Sequence, residues 1–359
     1  MQLIHLGHEL LTRALAGHES MPPQALEASV VAVGSFDGLH PGHWALIDRV
    51  RQEAKSRGVA SCLFTFREHP RQVLNGGGPR LLTSWREKLA ILQDAGLDAV
   101  VVVDFCPALS RLTYVEFVDQ FLVGMLGMTH LVGGHDLHLG ADRGGSAETL
   151  AALGESRKYG MTIVPALSHD AEGVISSSAI RRLVSDGDVA VAAKLLGRPY
   201  SLWGDVGYGS GVGEGLGFPT ANLRPLDPEK VLPATGVYAV RVHLPLDTVS
   251  DADQSGIIRT YDGALPEMDR DGILRGTLDT ARAVFRGMLN HGTAPTVHPG
   301  GLPEPRLEVH ILDYTGYIRE RSLKVEWIGR LRDEQTFADL TELQQQLDHD
   351  EMMVRKLVS

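Results

Sequence analysis

Up to about residue 190, short apolar runs alternate with helix-like segments, and this rhythm constrains the fold more than any other feature of the chain. Strand-like runs are predicted at 29–36, 59–66, 99–105, 130–133 and 161–166. The segments between them carry helix-end signals. Ser84-Trp-Arg-Glu87 and Thr113-Tyr-Val-Glu116 read as capping boxes, in which a hydroxyl and a carboxylate each satisfy a free backbone amide. Gly58, Gly96 and Gly160 read as helix stops. Alternating βα units of this length imply a parallel sheet with right-handed crossovers, a Rossmann-like domain. Such sheets bind ligands at the carboxyl ends of their strands.

One of those strand ends carries Gly34-Ser-Phe-Asp-Gly-Leu-His-Pro-Gly-His43. His40 and His43 fall on one helical face, and Pro41 suits a first helical turn, where no amide hydrogen is needed. Free amides and the helix dipole favour an anion there, and Gly34, Gly38 and Gly42 let a bulky ligand approach the backbone. Two imidazoles beside such a helix start suit adenylyl transfer from ATP, where triphosphate charge must be stabilised. An isolated histidine pair of this spacing also occurs in ordinary βα turns. The preceding apolar strand, the Phe36-Asp37-Gly38 turn and the following helix favour the nucleotide reading.

After Gly197 the rhythm changes. Strand-like runs at 201–208, 236–244, 283–290, 306–314 and 323–329 follow one another without helices, the pattern of a small antiparallel barrel or sandwich. A final helix is predicted from Leu340, Leu343, Leu347, Val354 and Leu357, whose stripe is expected to pack on the barrel. Residues 245–280 are polar, acidic and weakly periodic, and read as a long loop or insertion.

With 359 residues, two domains are expected. The formal net charge of −11 argues against a general nucleic-acid or anionic-membrane binder, so phosphates must be held by local amides, single cations and a metal ion. Cys62 and Cys106, both in apolar surroundings, indicate no disulfide framework. No basic leader with an apolar core and no long apolar run is present, so a cytoplasmic protein is the expectation.

Eight blocks in a fixed order extend these readings. The first half holds Gly34–His43, Phe64-Thr-Phe-Arg-Glu-His-Pro70, Gly134-His-Asp-Leu-His-Leu-Gly140 and Ile175-Ser-Ser-Ser-Ala-Ile-Arg181. The second holds Leu216-Gly-Phe-Pro-Thr-Ala-Asn222, Asn290-His-Gly-Thr-Ala-Pro-Thr296, Leu307-Glu-Val-His-Ile-Leu-Asp313 and Arg330-Leu-Arg-Asp-Glu334. With these blocks the chain resembles the bifunctional bacterial riboflavin kinase/FMN adenylyltransferase (FAD synthetase) family over nearly its full length. The resemblance implies an adenylyltransferase domain at 1–190 and a riboflavin kinase barrel with a C-terminal helix at 191–359. It implies ATP, riboflavin, FMN and FAD as substrates or products, Mg²⁺ as cofactor, and a monomer or weak homo-oligomer with small-molecule partners only.

The resemblance also assigns roles. His40 and His43 grip the ATP triphosphate while the FMN phosphate attacks, with Gly34, Phe36, Asp37 and Gly38 shaping the nucleotide site. Ser176, Ser178 and Arg181 hold phosphate oxygens, although those serines also suit a helix N-cap. Asp136 helps to shape the same site, or is simply a loop residue. In the barrel, Gly209, Gly211, Gly213 and Gly217 cradle phosphates. Thr220 and Asn222 offer hard oxygens to Mg²⁺, or side-chain hydrogen bonds in a tight turn fixed by Pro219. Glu308, on one strand face with His310, is the general base toward the ribityl hydroxyl of riboflavin; alone it would read as a solvated carboxylate.

The chain departs from the family pattern at Val212, Glu214 and Ala294, where basic residues are usual, and at Arg319-Glu320 in place of Tyr-Gly. In the first half, Ala179 replaces a frequent Arg and Arg67-Glu68 stands where Glu-Pro is common. An alternative therefore keeps only the adenylyltransferase, with a degenerate kinase barrel that binds flavin.

Overall fold

The computed structural model describes residues 1–358 except 76, 142, 170–172, 208–214, 216, 246, 248–258, 262–266, 269–273, 276–281, 295, 297–301 and 303. The chain folds as two compact units, Met1–Ser176 with Pro266–Arg275, and Ser177–Leu265 with Gly276–Ser359.

The first unit alternates strands and helices as expected. In chain order it contains β1 (Gln2–Leu6), α1 (His8–Leu15), β2 (Ser29–Val33), α2 (Pro41–Arg57), β3 (Ala60–Phe66), α3 (Pro70–Asn75), α4 (Trp85–Gln93) and β4 (Ala99–Val103). Then come α5 (Tyr114–Phe117), which continues as a π-helix over Val118–Met125, β5 (Met128–Gly134), α6 (Ala147–Arg157), β6 (Gly160–Val164) and the short pair β7 (Ser168–His169) and β8 (Gly173–Val174). Both capping boxes form: Glu87 N donates to Ser84 Oγ while Ser84 N donates to Glu87, and Thr113 and Glu116 repeat the pattern. Gly58 ends α2 in the left-handed conformation. The predicted stop at Gly160 is displaced: Lys158 takes the left-handed cap, and Gly160 opens β6.

The six main strands are parallel, in the order β1-β4-β3-β2-β5-β6. The central strands are covered on both faces, as parallel sheets require. Alternation divides their residues between two cores. Val31, Val33, Cys62, Phe64, Val101 and Val103 lie in one, and Val30, Ala32, Leu63, Val100 and Val102 in the other. From β2 the chain winds through β3 and β4 to one side, then returns to place β5 on β2's other side. The topological switch point thus lies between the carboxyl ends of β2 and β5, where ligands bind in such sheets. Strand β1, absent from the sequence-based expectation, is an edge strand with mostly half-buried residues.

The second unit opens with α7 (Ser177–Asp186) and α8 (Val189–Leu196), followed by β9 (Tyr200–Gly207), β10 (Thr220–Pro225), β11 (Gly236–Pro245), β12 (Arg259–Tyr261), β13 (Glu267–Met268) and β14 (Leu274–Arg275); the β13–β14 pair belongs to the first unit. Then come β15 (Arg282–Gly292), β16 (Arg306–Ile311), β17 (Ser322–Arg332) and α9 (Leu340–Leu357). Strands run antiparallel in the order β11-β17-β9-β10-β16-β15, and β15 pairs back onto β11. That closure decides for a barrel over a sandwich and pairs each of these six strands on both sides, while β12 adds to β15 alone. The predicted insertion at 245–280 lies mostly outside the described residues.

On α9 the predicted stripe is partly corrected. Leu347 and Val354 pack with Val358 against Phe218, Met288 and Leu312, but Leu340 and Leu357 are exposed. Asp350 takes a central place on the packed face, buried by its ion pair with Arg332 at 2.8 Å. Hydropathy alone missed it because a carboxylate becomes an inward residue only when a cation meets it there.

Candidate active sites

The Gly34–His43 turn leaves β2 at the switch point. Phe36 (φ 48°), Gly38 (φ 86°) and Leu39 (φ 42°) all take the left-handed region, so the chain reverses tightly before α2. Non-glycine residues there need support from their surroundings. Leu39 is fully buried and Phe36 is 2 % exposed, and the Phe36 ring meets His43 edge-on at 5.3 Å. His40 is the N-cap of α2 and Pro41 its first residue. The His40 and His43 rings stack at 3.7 Å between centroids and 18° between planes. A Cβ on residue 42 would come within 3.1 Å of the His40 ring, so glycine there lets the imidazole fold over the helix start.

Asp37 is built into the turn. It is 2 % exposed, and its carboxylate accepts from Leu82 N (2.9 and 3.1 Å), Thr83 N (3.0 Å) and Thr83 Oγ1 (3.3 Å). Thr83 Oγ1 in turn accepts from Gly38 N at 3.0 Å. A carboxylate so engaged with protein amides braces the turn. Sequence reasoning also missed Lys88, whose Nζ donates to Ser35 O (2.7 Å), Phe66 O (3.1 Å) and Thr65 Oγ1 (3.4 Å). Burial lowers its pKa to about 8, against the opposing pull of Asp37 and Glu68. One signal was available: Lys88 shares a helical stripe with Trp85 and Leu92, an inward face on which a lysine is out of place.

The neighbouring strand β5 ends at Gly134, so the Gly134–Gly140 block also reaches the switch point. Asp136 has an 83 % exposed side chain there, and His138 Nδ1 lies 2.9 Å from the Asp136 carbonyl. Ser176 closes the first unit, whereas Ser178 and Arg181 lie on α7 of the second. Ser176 directly precedes that helix, as a capping residue does.

In the barrel, register assembles the predicted residues. Asn222 pairs with Glu308 across β10 and β16, Glu308 pairs with Asn290 across β16 and β15, and Thr220 pairs with His310. Directly opposed residues share a sheet face, so Thr220, Asn222, Glu308 and His310 form one polar patch. Thr220 and Asn222 open a strand here; the turn reading ends at Pro219. This strand escaped prediction because 220–225 contains one large aliphatic residue, and pairing on both sides supplies what hydropathy does not. His310 Nδ1 is 2.8 Å from the Pro219 carbonyl, which can only accept, so that nitrogen carries the proton. Burial lowers the pKa of His310. The turn after β15 is held from β17's far end: Glu334 accepts from Thr293 N (3.1 Å), Thr293 Oγ1 (3.2 Å) and Ala294 N (2.9 Å), with Ala294 at φ 50°.

The Asn222 Oδ1 atom is buried without a hydrogen-bond partner among the described residues. An orphaned amide oxygen beside a threonine hydroxyl fits a hard cation such as Mg²⁺, which takes oxygen ligands and completes its shell with phosphates and water. Gly217 precedes this strand with φ 81°. Gly209, Gly211 and Gly213, with Val212 and Glu214, lie outside the described residues.

Comparison with known proteins agrees with this division. The FAD synthetase family model matches residues 22–179, and the riboflavin kinase family model matches 196–358. Bifunctional riboflavin kinase/FMN adenylyltransferases from Bacillus subtilis (strain 168) and Escherichia coli (strain K12) are similar, at 32% identity over 90% of each chain and 33% over 94% of each chain. A crystal structure described as a macrolide-efflux protein from Streptococcus pneumoniae superposes with a TM-score of 0.74 at 28% identity, covering 98% of this chain and 99% of that one. Among the described residues, no helix is long and apolar enough to cross a membrane. The paired family models and the full-length likeness together show that this chain belongs to the bifunctional riboflavin kinase/FMN adenylyltransferase family.

Proposed function

We propose that the chain makes FAD in two ATP-dependent steps, phosphorylating riboflavin to FMN in the barrel and adenylylating FMN in the first unit. The observation that carries this reading is that each unit has its own phosphate-handling geometry: stacked His40 and His43 at the α2 start, and the Asn222–Glu308 row of the barrel. In the first step Glu308 takes the proton of the terminal ribityl hydroxyl as its oxygen attacks the γ-phosphorus of ATP, and ADP leaves. Mg²⁺ held by Thr220 and Asn222 would supply charge neutralisation at the phosphates. In the second step an FMN phosphate oxygen attacks the α-phosphorus of a second ATP, and pyrophosphate leaves. His40 and His43, with the amides of the α2 start and the Ser176 hydroxyl, hold the triphosphate. The protein works as a cytoplasmic monomer or weak homo-oligomer.

The test is an ATP assay with and without Mg²⁺, started separately from riboflavin and from FMN and read by product chromatography. Metal-dependent formation of FMN and of FAD is expected. No FAD from FMN sinks the first-unit reading. FAD from FMN without any FMN from riboflavin supports the single-activity alternative, which Ala294 in place of a basic residue favours.

A further inference from the structure

Lys88 has no part in either step above, yet it is 6 % exposed and donates to three acceptors on two different segments. An ammonium has three N–H donors, and here there are three oxygens to receive them. The shortest contact, 2.7 Å, goes to the Ser35 carbonyl, one residue before the left-handed Phe36 and five before His40. The other two go to Thr65 and Phe66 at the carboxyl end of β3, beside β2 in the sheet. Thr65 Oγ1 itself lies 3.3 Å from Ser35 O. All three acceptors are uncharged, so the bonds are charge-assisted from the lysine side alone.

We propose that Lys88 is a positioning residue for adenylyl transfer, tying the start of the histidine turn to the end of β3 so that His40 and His43 meet the triphosphate in a fixed place. The inference rests on reading that turn as the adenylyl-transfer site. Its physical basis is the tight turn itself. With Phe36 and Leu39 both left-handed, the turn is held by its surroundings, and Ser35 O is the point where it leaves the sheet. Asp37 holds the turn's middle through Leu82 and Thr83, just before α4, and Lys88 holds its beginning from within α4. The continuous segment 82–88, α4 with the residues that lead into it, therefore holds the turn at Ser35 and at Asp37. A displacement of about 1 Å at a positioning group is enough to cost on the order of 100-fold in rate.

The buried ammonium also adds a pH signature. The charged groups that face it are Asp37, from the turn after β2, and Glu68, from the segment after β3. Both favour the protonated amine, while burial disfavours it and brings the pKa to about 8. Above that pH the amine keeps two donors for three acceptors, and one strand tie is lost. The sign for folding is the opposite. Because the folded pKa lies below the ordinary value of 10.5, this group's contribution to stability rises as pH climbs from about 8 toward 10.5. Loss of FAD formation in that window is therefore not a loss of fold through this group.

The full chain and its Lys88→Met and Lys88→Arg variants are to be assayed for FAD formation from FMN and ATP between pH 6.5 and 9.5, with amide hydrogen exchange over 29–43 and 60–66 as the check on folding. The proposal expects kcat to fall at least about tenfold in Lys88→Met with the KM for FMN within about twofold. It expects wild-type kcat to fall above pH ~8, and this limb to vanish in Lys88→Arg, whose guanidinium stays charged. Should Lys88→Met not fold, the wild-type limb and its removal by arginine still decide. A kcat within twofold of wild type in Lys88→Met, or a wild-type profile flat from pH 7 to 9.5, overturns the proposal. Failure of the wild-type chain to form any FAD would instead overturn the reading of the site itself.

Discussion

Replacing Asp37 with alanine should unfold the histidine turn selectively. The carboxylate is the acceptor for two buried amides, Leu82 N and Thr83 N, and for the Thr83 hydroxyl. Each buried donor left without a partner costs about 1–3 kcal/mol. The hydroxyl can rotate and still accept from Gly38 N, so the two amides dominate, and their sum is about 2–6 kcal/mol. Against a typical domain stability of about 5–15 kcal/mol this is a large loss. Asp37→Asn keeps one acceptor oxygen and should cost about 1–2 kcal/mol by the weaker neutral hydrogen bond. The assay is urea-dependent hydrogen exchange of the full chain, read separately over residues 29–43 and over the barrel strands. Asp37→Ala should lose protection at lower urea in the first segment, with the barrel unchanged, and should form FMN from riboflavin but little FAD. An Asp37→Ala chain within about 0.5 kcal/mol of wild type in the 29–43 segment would refute the claim that these hydrogen bonds hold the turn.

Three other outcomes follow from the geometry. Glu308→Gln should stop FMN formation from riboflavin while leaving FAD formation from supplied FMN intact, measured on one preparation by chromatography. Glu334→Ala removes the acceptor of the Thr293 and Ala294 amides, both half-buried, and should lower barrel stability by roughly 1–3 kcal/mol in denaturant titration. His130 has its pKa lowered, by burial first and by Arg57 next, so the unfolded chain binds its proton more readily than the folded one. Its contribution to first-unit stability should therefore fall as pH drops through the ordinary histidine range near 6.5, and His130→Asn should flatten the pH dependence of the unfolding midpoint there.

Local devices were legible in the sequence because their partners lie within one helical turn. Both capping boxes form between residues three apart, and the strand-like runs became strands within three residues of the predicted ends. The helix start at Pro41 is of the same kind. Where the cause was not local, the reading failed. Strand β10 has little hydropathy of its own and exists through its two neighbours. Asp350 sits on the apolar face of α9 because Arg332 reaches it from β17. The bracing by Asp37 is not legible locally because its partners, Leu82 and Thr83, lie 45 and 46 residues away.

From the amino-acid order alone it is legible that a parallel α/β unit precedes an antiparallel one, that a histidine turn follows an apolar strand, and that eight motifs stand in the order of one enzyme family. The first two properties follow from periodicity and local chemistry, which need no partner far along the chain; the third is a resemblance carried by the motifs themselves. The return of β5 beside β2, which makes a switch point at that turn, comes from the packed fold. Only it decided that β15 closes on β11, setting Asn222 against Glu308. Only it showed that Asp37 and Lys88 hold the histidine turn from inside. Each of these depends on which distant segments meet, and that is fixed by packing two cores and closing a sheet, not by any window of sequence.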